Sequence, residues 1–308
     1  MHAAKPSNGE LVNFDEMSVG ELYELHYREE IYVAQESLKY PAFSAERGEM
    51  LGNGYKFVTE LMKVRDTKEF GAPNTIFGAG LGSAKALVKL VKKTLKERSD
   101  ALLCEIGVGA GLALRKVLDE VGSPKLDIVG CDINISSDVK DLLEGVKLSD
   151  MPAYDFVKTL PDCSIDILFS DNVFEHFCPD EAKAIYDELS KKLKPNAVLL
   201  IIIPNRCIGP FDISGKFLPM GAKSTGFHYT EMTFNEVTNL FREYGIEQQY
   251  CVLYIPKQQK FILIKSRFLI KLKLWLEGFF AKIPFNFIKY IAFYCGGYHI
   301  SVLRKTSK

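Results

Sequence analysis

Apolar residues recur at helical spacing through the first third of the chain. Ser18-Val19-Gly20-Glu21 reads as a capping box, and Leu22, Leu25 and Ile31 follow it on one face, so a helix is predicted from there. Helical spacing returns near Tyr55–Val64, and a Gly/Pro-rich loop runs from Gly71 to Gly82. Ser83 then opens a helix with Ala84, Leu87, Val88, Val91 and Leu95 on one face and Lys85, Lys89, Lys92 and Lys96 on the other. Residues 14–98 are read as an N-terminal helical cap region, behind a flexible polar leader at 1–13.

From Ala101 the period changes. Leu102–Ile106, Leu126–Asp132, Ile165–Ser170 and Val198–Ile203 are short apolar runs, predicted to be strands. Helical patterns separate them, at Leu112–Val121 and at Pro179–Leu193, where Pro suits the first turn. Thr233-Phe234-Asn235-Glu236 is a second capping box, whose helix stops at Gly245; Gln249–Ile255 and His299–Arg304 read as strands. Strands alternating with helices predict an α/β fold, a parallel sheet with both faces covered, over residues 99–308.

The first strand ends in Glu105-Ile106-Gly107-Val108-Gly109-Ala110-Gly111, a glycine turn between strand and helix, where doubly wound folds bind nucleotide-like ligands. Asp132 ends the next strand, where a carboxylate accepts bonds from both hydroxyls of a ribose. The dinucleotide fingerprint needs a glycine at position 112, which is Leu112, and an acid at Glu105 would face a pyrophosphate unfavourably. A ligand with a positive centre and no phosphate fits better, and S-adenosylmethionine has that character.

Four blocks in order, CEIGVGAGLAL, VGCDIN, LPDCSIDILFSDNVFEHF and LKPNAVLLIIIPNR, give the chain its resemblance to the class I S-adenosylmethionine-dependent methyltransferases. FHYTEMTFNEVTNLFREYGIE and GYHISVLRKTSK are similar to the family's closing segments, and the likeness spans about residues 100–308. Asn196 stands where the family usually has glycine. The resemblance implies a Rossmann-like seven-stranded sheet of order 3-2-1-4-5-7-6 with the last strand antiparallel. It implies that Gly107, Gly109 and Gly111 line the methionine and ribose portions of the cofactor and that Asp132 binds the ribose. It implies Ile133 beside the adenine, Asp155 at the adenine amino group, and Asp171 and Asn172 at the methionine end.

Methyl transfer from a sulfonium mainly needs an aligned acceptor, and an alcohol or carboxyl acceptor also benefits from a base. Of the five histidines, His176, just after the fourth strand, and His228, in a loop after the fifth, are the catalytic candidates; His26 reads as structural. The seven cysteines form no CxxC pair, so they read as reduced thiols, and no metal site is expected.

Charge adds one feature. Lys+Arg and Asp+Glu both number 39, which argues against a nucleic-acid partner. Residues 260–308 nevertheless hold ten Lys/Arg and one acid, Glu277. The stretch 258–296 is thus basic, aromatic and amphipathic. It reads as a lid, as a patch for peripheral membrane contact, or as plain core. The opening MHAAKPSNGE shows no secretory pattern and no apolar run is long enough to span a bilayer, so a cytoplasmic chain is expected. The expected function is methyl transfer to a small-molecule or lipid/glycan-type acceptor. The alternatives are a non-catalytic scaffold of the same fold at a membrane surface and a nicotinamide-dependent oxidoreductase.

Overall fold

The computed structural model describes residues 3–7, 9–71, 80–255, 260–280 and 298–305. It divides into two compact units. The first comprises Met1–Phe77, Glu175–Glu181 and Gly209–Glu231, and the second Gly78–Phe174, Ala182–Ile208 and Met232–Lys308.

In the first unit the polar leader is tied down. β1 (Ala3–Ala4) pairs antiparallel with β2 (Val12–Asn13), and the Ser7 amide and hydroxyl both donate to Glu29 Oε1, at 2.8 and 2.5 Å. α1 (Val19–Ser37) begins with the Ser18–Glu21 capping box. α2 (Ala45–Phe70) ends on Gly71 in the left-handed region. Leu22 and Val33 of α1 meet Phe57, Val58 and Leu61 of α2, and Phe227 joins the same core. Arg47 explains why Glu175–Glu181 belongs to this unit. Its guanidinium is buried, donates to Asp180 Oδ1 at 2.8 Å and Glu181 Oε1 at 3.0 Å, and also reaches the Ser37 and Tyr40 carbonyls. A buried arginine left without those acids would cost several kcal/mol, on the order of 3–5.

The second unit opens with α3 (Gly80–Glu97), grouped at the sequence level with the cap. The structure assigns it elsewhere because Leu87, Val88 and Val91 bury their apolar stripe in the same core as Leu103, Ile167 and Leu200. There follow β3 (Ala101–Ile106), α4 (Leu112–Glu120), β4 (Leu126–Asp132), α5 (Ser137–Leu142), β5 (Lys147–Asp150) and α6 (Ala153–Thr159). Then come β6 (Ile165–Asp171), α7 (Pro179–Lys192), β7 (Leu193–Pro204), α8 (Phe234–Glu243) and β8 (Ile246–Gln248). β9 (Cys251–Ile255), β10 (Lys260–Ile264), α9 (Arg267–Phe280) and β11 (Tyr298–Lys305) are the last of the described elements.

The main sheet runs β5-β4-β3-β6-β7-β11-β8. Its first five strands are mutually parallel, and β11 is antiparallel to β7 and β8. The middle strands are largely apolar because helices cover both faces, with polar groups such as Glu105, Ser170 and Asp171 at their carboxyl ends. At the other end of β6, the Leu102 amide, Arg98 and Lys194 hold the buried carboxylate of Asp166. Asn196 has φ 60°, a left-handed backbone that asparagine tolerates, so it can stand where the resemblance implies a glycine.

The run expected as a strand at Gln249–Ile255 does form one, but outside the main sheet. The sheet takes Ile246–Gln248, whereas Cys251–Ile255, within the run read as a strand, leaves the sheet and pairs with β10 as a hairpin. The six described cysteines are all free. No helix among the described residues is long and apolar enough to cross a membrane.

Candidate active site

The glycine turn after β3 is built by backbone bonds. The Gly107 and Val108 amides donate to the Cys131 carbonyl at 2.9 and 3.1 Å, which ties the end of β3 to the end of β4. Gly107 has φ 81°, and a Cβ there would overlap Val173. Gly109 has φ 52°, and nothing lies within 4 Å of where its Cβ would stand. At the first position glycine is needed for packing; at the second it leaves an open, left-handed cradle. The Gly109 amide donates to Asp132 Oδ2 at 2.8 Å, and Asp132 Oδ1 accepts from the Asn134 amide at 3.3 Å.

Acidic groups gather at this end of the sheet. Glu105 is buried, and its Oε2 has no hydrogen-bond partner among the described residues. Burial, then the charges of Asp171 and Asp132, push its carboxyl well above the usual range. Asp171 Oδ2 accepts from the buried Ser83 hydroxyl at 2.7 Å, and its Oδ1 accepts from Asn172 Nδ2 at 3.0 Å. Asn172 itself has φ 55°. Ile133 is 58% exposed directly after Asp132, an apolar side chain free for a planar ligand. Asp155 is exposed in the first turn of α6. The unit thus brings Glu105, Gly107, Gly109, Gly111, Asp132, Ile133, Asp171 and Asn172 to the carboxyl ends of β3, β4 and β6, where this class of sheet binds ligands.

An orphaned buried carboxylate oxygen, two further acids and an open glycine cradle fit a cationic ligand without phosphate. They would repel a pyrophosphate. S-adenosylmethionine, with its ammonium and sulfonium, meets that requirement.

The two histidines come together in the first unit. The His176 and His228 rings are 4.7 Å apart, edge to face. His176 Nδ1 is 2.9 Å from the Tyr55 hydroxyl. Burial, with the neighbouring His228, lowers the His176 pKa to about 3, so its ring is neutral. His228 is the opposite case. Burial opposes its charge, but the bond to Glu231 and the carboxylates of Glu175, Glu231 and Asp212 outweigh that and raise its pKa. His228 Nδ1 donates to Glu231 Oε1 at 2.7 Å, which leaves Nε2 with the lone pair when the ring is neutral. Glu231 Oε1 also accepts from the Phe211 amide at 2.7 Å.

The loop that carries His228 is fixed from α1. The Phe227 amide donates to Glu30 Oε2 at 3.1 Å, His26 Nε2 donates to Glu30 Oε1 at 2.7 Å, and Arg65 Nη1 donates to His26 Nδ1 at 2.8 Å. His26 is structural in that sense. Ligand-capable atoms of Glu175, His176 and His228 also lie within 4.8 Å of one another.

Sequence reasoning missed Ser83, Glu231, Tyr55 and Glu30. Glu231 had a local signal, three residues after His228. In sequence, Ser83 reads only as the residue that opens a helix. Tyr55 and Glu30 act only through tertiary contact.

Residues 104–201 match the family model described as "Methyltransferase domain". That segment runs from β3 through the glycine turn to β7, so the chain carries a methyltransferase domain, which supports the resemblance to the class I S-adenosylmethionine-dependent methyltransferases. It is accordingly an enzyme that uses S-adenosylmethionine. Among solved structures it is similar to a 1,6-didemethyltoxoflavin-N1-methyltransferase of Burkholderia thailandensis, solved with 1,6-didemethyltoxoflavin and S-adenosylhomocysteine. That likeness is 16% identical over 73% of this chain and 89% of the other, with a TM-score of 0.49. A phosphoethanolamine N-methyltransferase 2 of Haemonchus contortus is 16% identical over 80% of this chain and 58% of its own, with a TM-score of 0.49. A SAM-dependent methyltransferase of Archaeoglobus fulgidus is 17% identical over 74% and 96%, with a TM-score of 0.44. No curated protein sequence matches the chain.

Proposed function

We propose that the enzyme methylates an O–H or N–H group of a small-molecule or lipid/glycan-type acceptor by in-line displacement, with His228 taking the acceptor's proton. The sheet order β5-β4-β3-β6-β7-β11-β8 supports reading the second unit as the seven-stranded class I arrangement. The observation that carries the reading of the cofactor side is the buried, partnerless Oε2 of Glu105, with Asp132 and Asp171 as its charged neighbours. In this reading Glu105, Asp171 and Asn172 hold the methionine end. Gly107, Gly109 and Gly111 let the backbone approach, Asp132 binds the ribose, and Ile133 and Asp155 flank the adenine.

When bound, the cofactor supplies an electrophilic methyl carbon and a neutral thioether leaving group. Glu231 holds the Nδ1–H of His228, so Nε2 is the atom of this ring that carries the lone pair and can take up a proton. His176, kept neutral, packs against that ring and holds its orientation without competing for the proton.

Transfer of tritiated methyl from S-adenosylmethionine into a panel of amines, phenols, alcohols and lipid-linked sugars tests the proposal. Label in an O- or N-acceptor with the wild type, and loss of that transfer in His228→Gln with cofactor affinity unchanged, is the expected result. Transfer at full rate in His228→Gln contradicts the assignment of the base.

A further inference from the structure

We infer that the outer face of α9 is a docking surface for an anionic lipid bilayer. The inference is independent of the acceptor and of the base. Phe268, Leu272, Trp275 and Phe279 are 72, 37, 63 and 51% exposed. Their spacing of four, three and four residues puts all of them within about 60° of the helix circumference, at about 100° per residue. The Trp275 and Phe279 rings stack, with centroids 5.6 Å apart and planes within 10°. Four large apolar side chains in one exposed stripe are more than scattered surface residues, which occur singly.

The opposite face of the helix is accounted for. Leu269, Ile270 and Leu274 pack with Phe234 and Cys251. Glu277 turns inward: it is buried and accepts from Asn205 Nδ2 at 3.0 Å and from the Phe234 and Asn235 amides at 2.7 and 2.8 Å. It therefore serves the N-terminus of α8.

Charge identifies the occupant. Glu277 is the sole acid of residues 260–308, and the fold removes it from the surface. Lys265, Arg267 and Lys271 are exposed beside the apolar stripe, and no exposed acid lies between Lys260 and Phe280. A stripe of Trp, Phe and Leu on a segment whose own exposed charges are all cations complements a lipid surface with negative headgroups, where aromatic rings sit at the interface and cations at the phosphates. A protein partner's apolar groove would need no such uniform sign. Residues 281–297 continue the same composition in sequence, with Phe285, Phe287, Tyr290, Phe293, Lys282 and Lys289 and no acid.

The test is co-sedimentation of the full chain with vesicles of phosphatidylcholine alone and of phosphatidylcholine with about 30 mol % phosphatidylglycerol. The expected result is binding to the anionic vesicles only, weakened as salt is raised from about 0.1 to about 0.5 M. Lys265→Gln/Arg267→Gln/Lys271→Gln should lower the partition coefficient about 100-fold, about fivefold per cation. Trp275→Ser/Phe279→Ser should lower it at least about tenfold. All five side chains are exposed, so these variants keep the wild-type unfolding midpoint. Equal binding to neutral and anionic vesicles, no binding to either, or unchanged partitioning of Trp275→Ser/Phe279→Ser overturns the inference. So does concentration-dependent dimerisation of the wild type that Trp275→Ser/Phe279→Ser abolishes, because the face would then cover a second copy of the chain.

Discussion

Replacing Glu105 by glutamine separates the part this residue plays in the fold from the part it plays toward the cofactor, because the two effects have opposite signs. The carboxyl is buried, one oxygen lacks a hydrogen-bond partner among the described residues, and its charged neighbours are Asp171 and Asp132. Its pKa in the folded protein without cofactor is raised, so the fold keeps a proton that the unfolded chain releases above its own pKa of about 4.5. The stability this provides is complete below that value and is lost as pH rises through the folded pKa, at about 1.4 kcal/mol per pH unit in that window. Glu105→Gln has the same shape and no charge. Urea unfolding of the cofactor-free variant should show that pH slope removed, with stability at neutral pH equal to or above that of the wild type. Cofactor binding should move the other way. Losing a bond from a charged group to a cationic ligand costs about 1.5–3 kcal/mol, which raises the Kd for S-adenosylmethionine about 10- to 150-fold. The reasoning is refuted if the variant binds within about twofold of the wild type, or if it is destabilised at neutral pH while affinity holds.

Five further outcomes follow from the geometry. His228→Gln should lower the transfer rate by about 10²- to 10⁴-fold, Glu231→Gln should move the acidic limb of the pH–rate profile to lower pH, and a chelator should leave the rate unchanged. A chelator-sensitive rate restored by a divalent ion would reassign Glu175, His176 and His228 as its ligands. His176 has a folded pKa of about 3, so the unfolded chain takes up a proton below about 6.5 that the fold refuses. Stability should therefore fall from that pH downward by about 1.4 kcal/mol per unit, seen in urea unfolding between mildly alkaline and mildly acidic buffers, and His176→Gln should lose that dependence. Gly107→Ala should cost about 1–2 kcal/mol for the left-handed backbone and about 1–3 more for the overlap with Val173. Adding Val173→Ala should recover only the second part, and full recovery would show that the backbone carries no strain.

What the sequence made legible was local. The capping boxes at Ser18 and Thr233 both form, because each needs only four adjacent residues. The α/β alternation and the turn from Glu105 to Gly111 were readable for the same reason: strand, glycines and helix follow one another directly. β5 went unseen, since Lys147–Asp150 is an edge strand with one neighbour and a single leucine. The sheet strand was sought in Gln249–Ile255 because that run is more apolar than Ile246–Gln248; which run joins β11 is decided by a pairing of distant residues that periodicity does not record. The first unit was the least legible. Its histidine pair depends on Glu175–Glu181 and Gly209–Glu231 joining helices more than a hundred residues earlier, through Arg47, Tyr55 and Glu30. No local pattern marks such partners. The charge asymmetry of the tail was visible at once, but only the inward turn of Glu277 shows that the outer face keeps one sign.

The central claim is that the glycine turn and its acids hold a cationic adenosyl ligand, and calorimetric titration of the purified chain tests it most directly. Micromolar binding of S-adenosylmethionine and S-adenosylhomocysteine, with none of NAD, is the result this account predicts. Binding of NAD, or of none of the three by a folded protein, would contradict it.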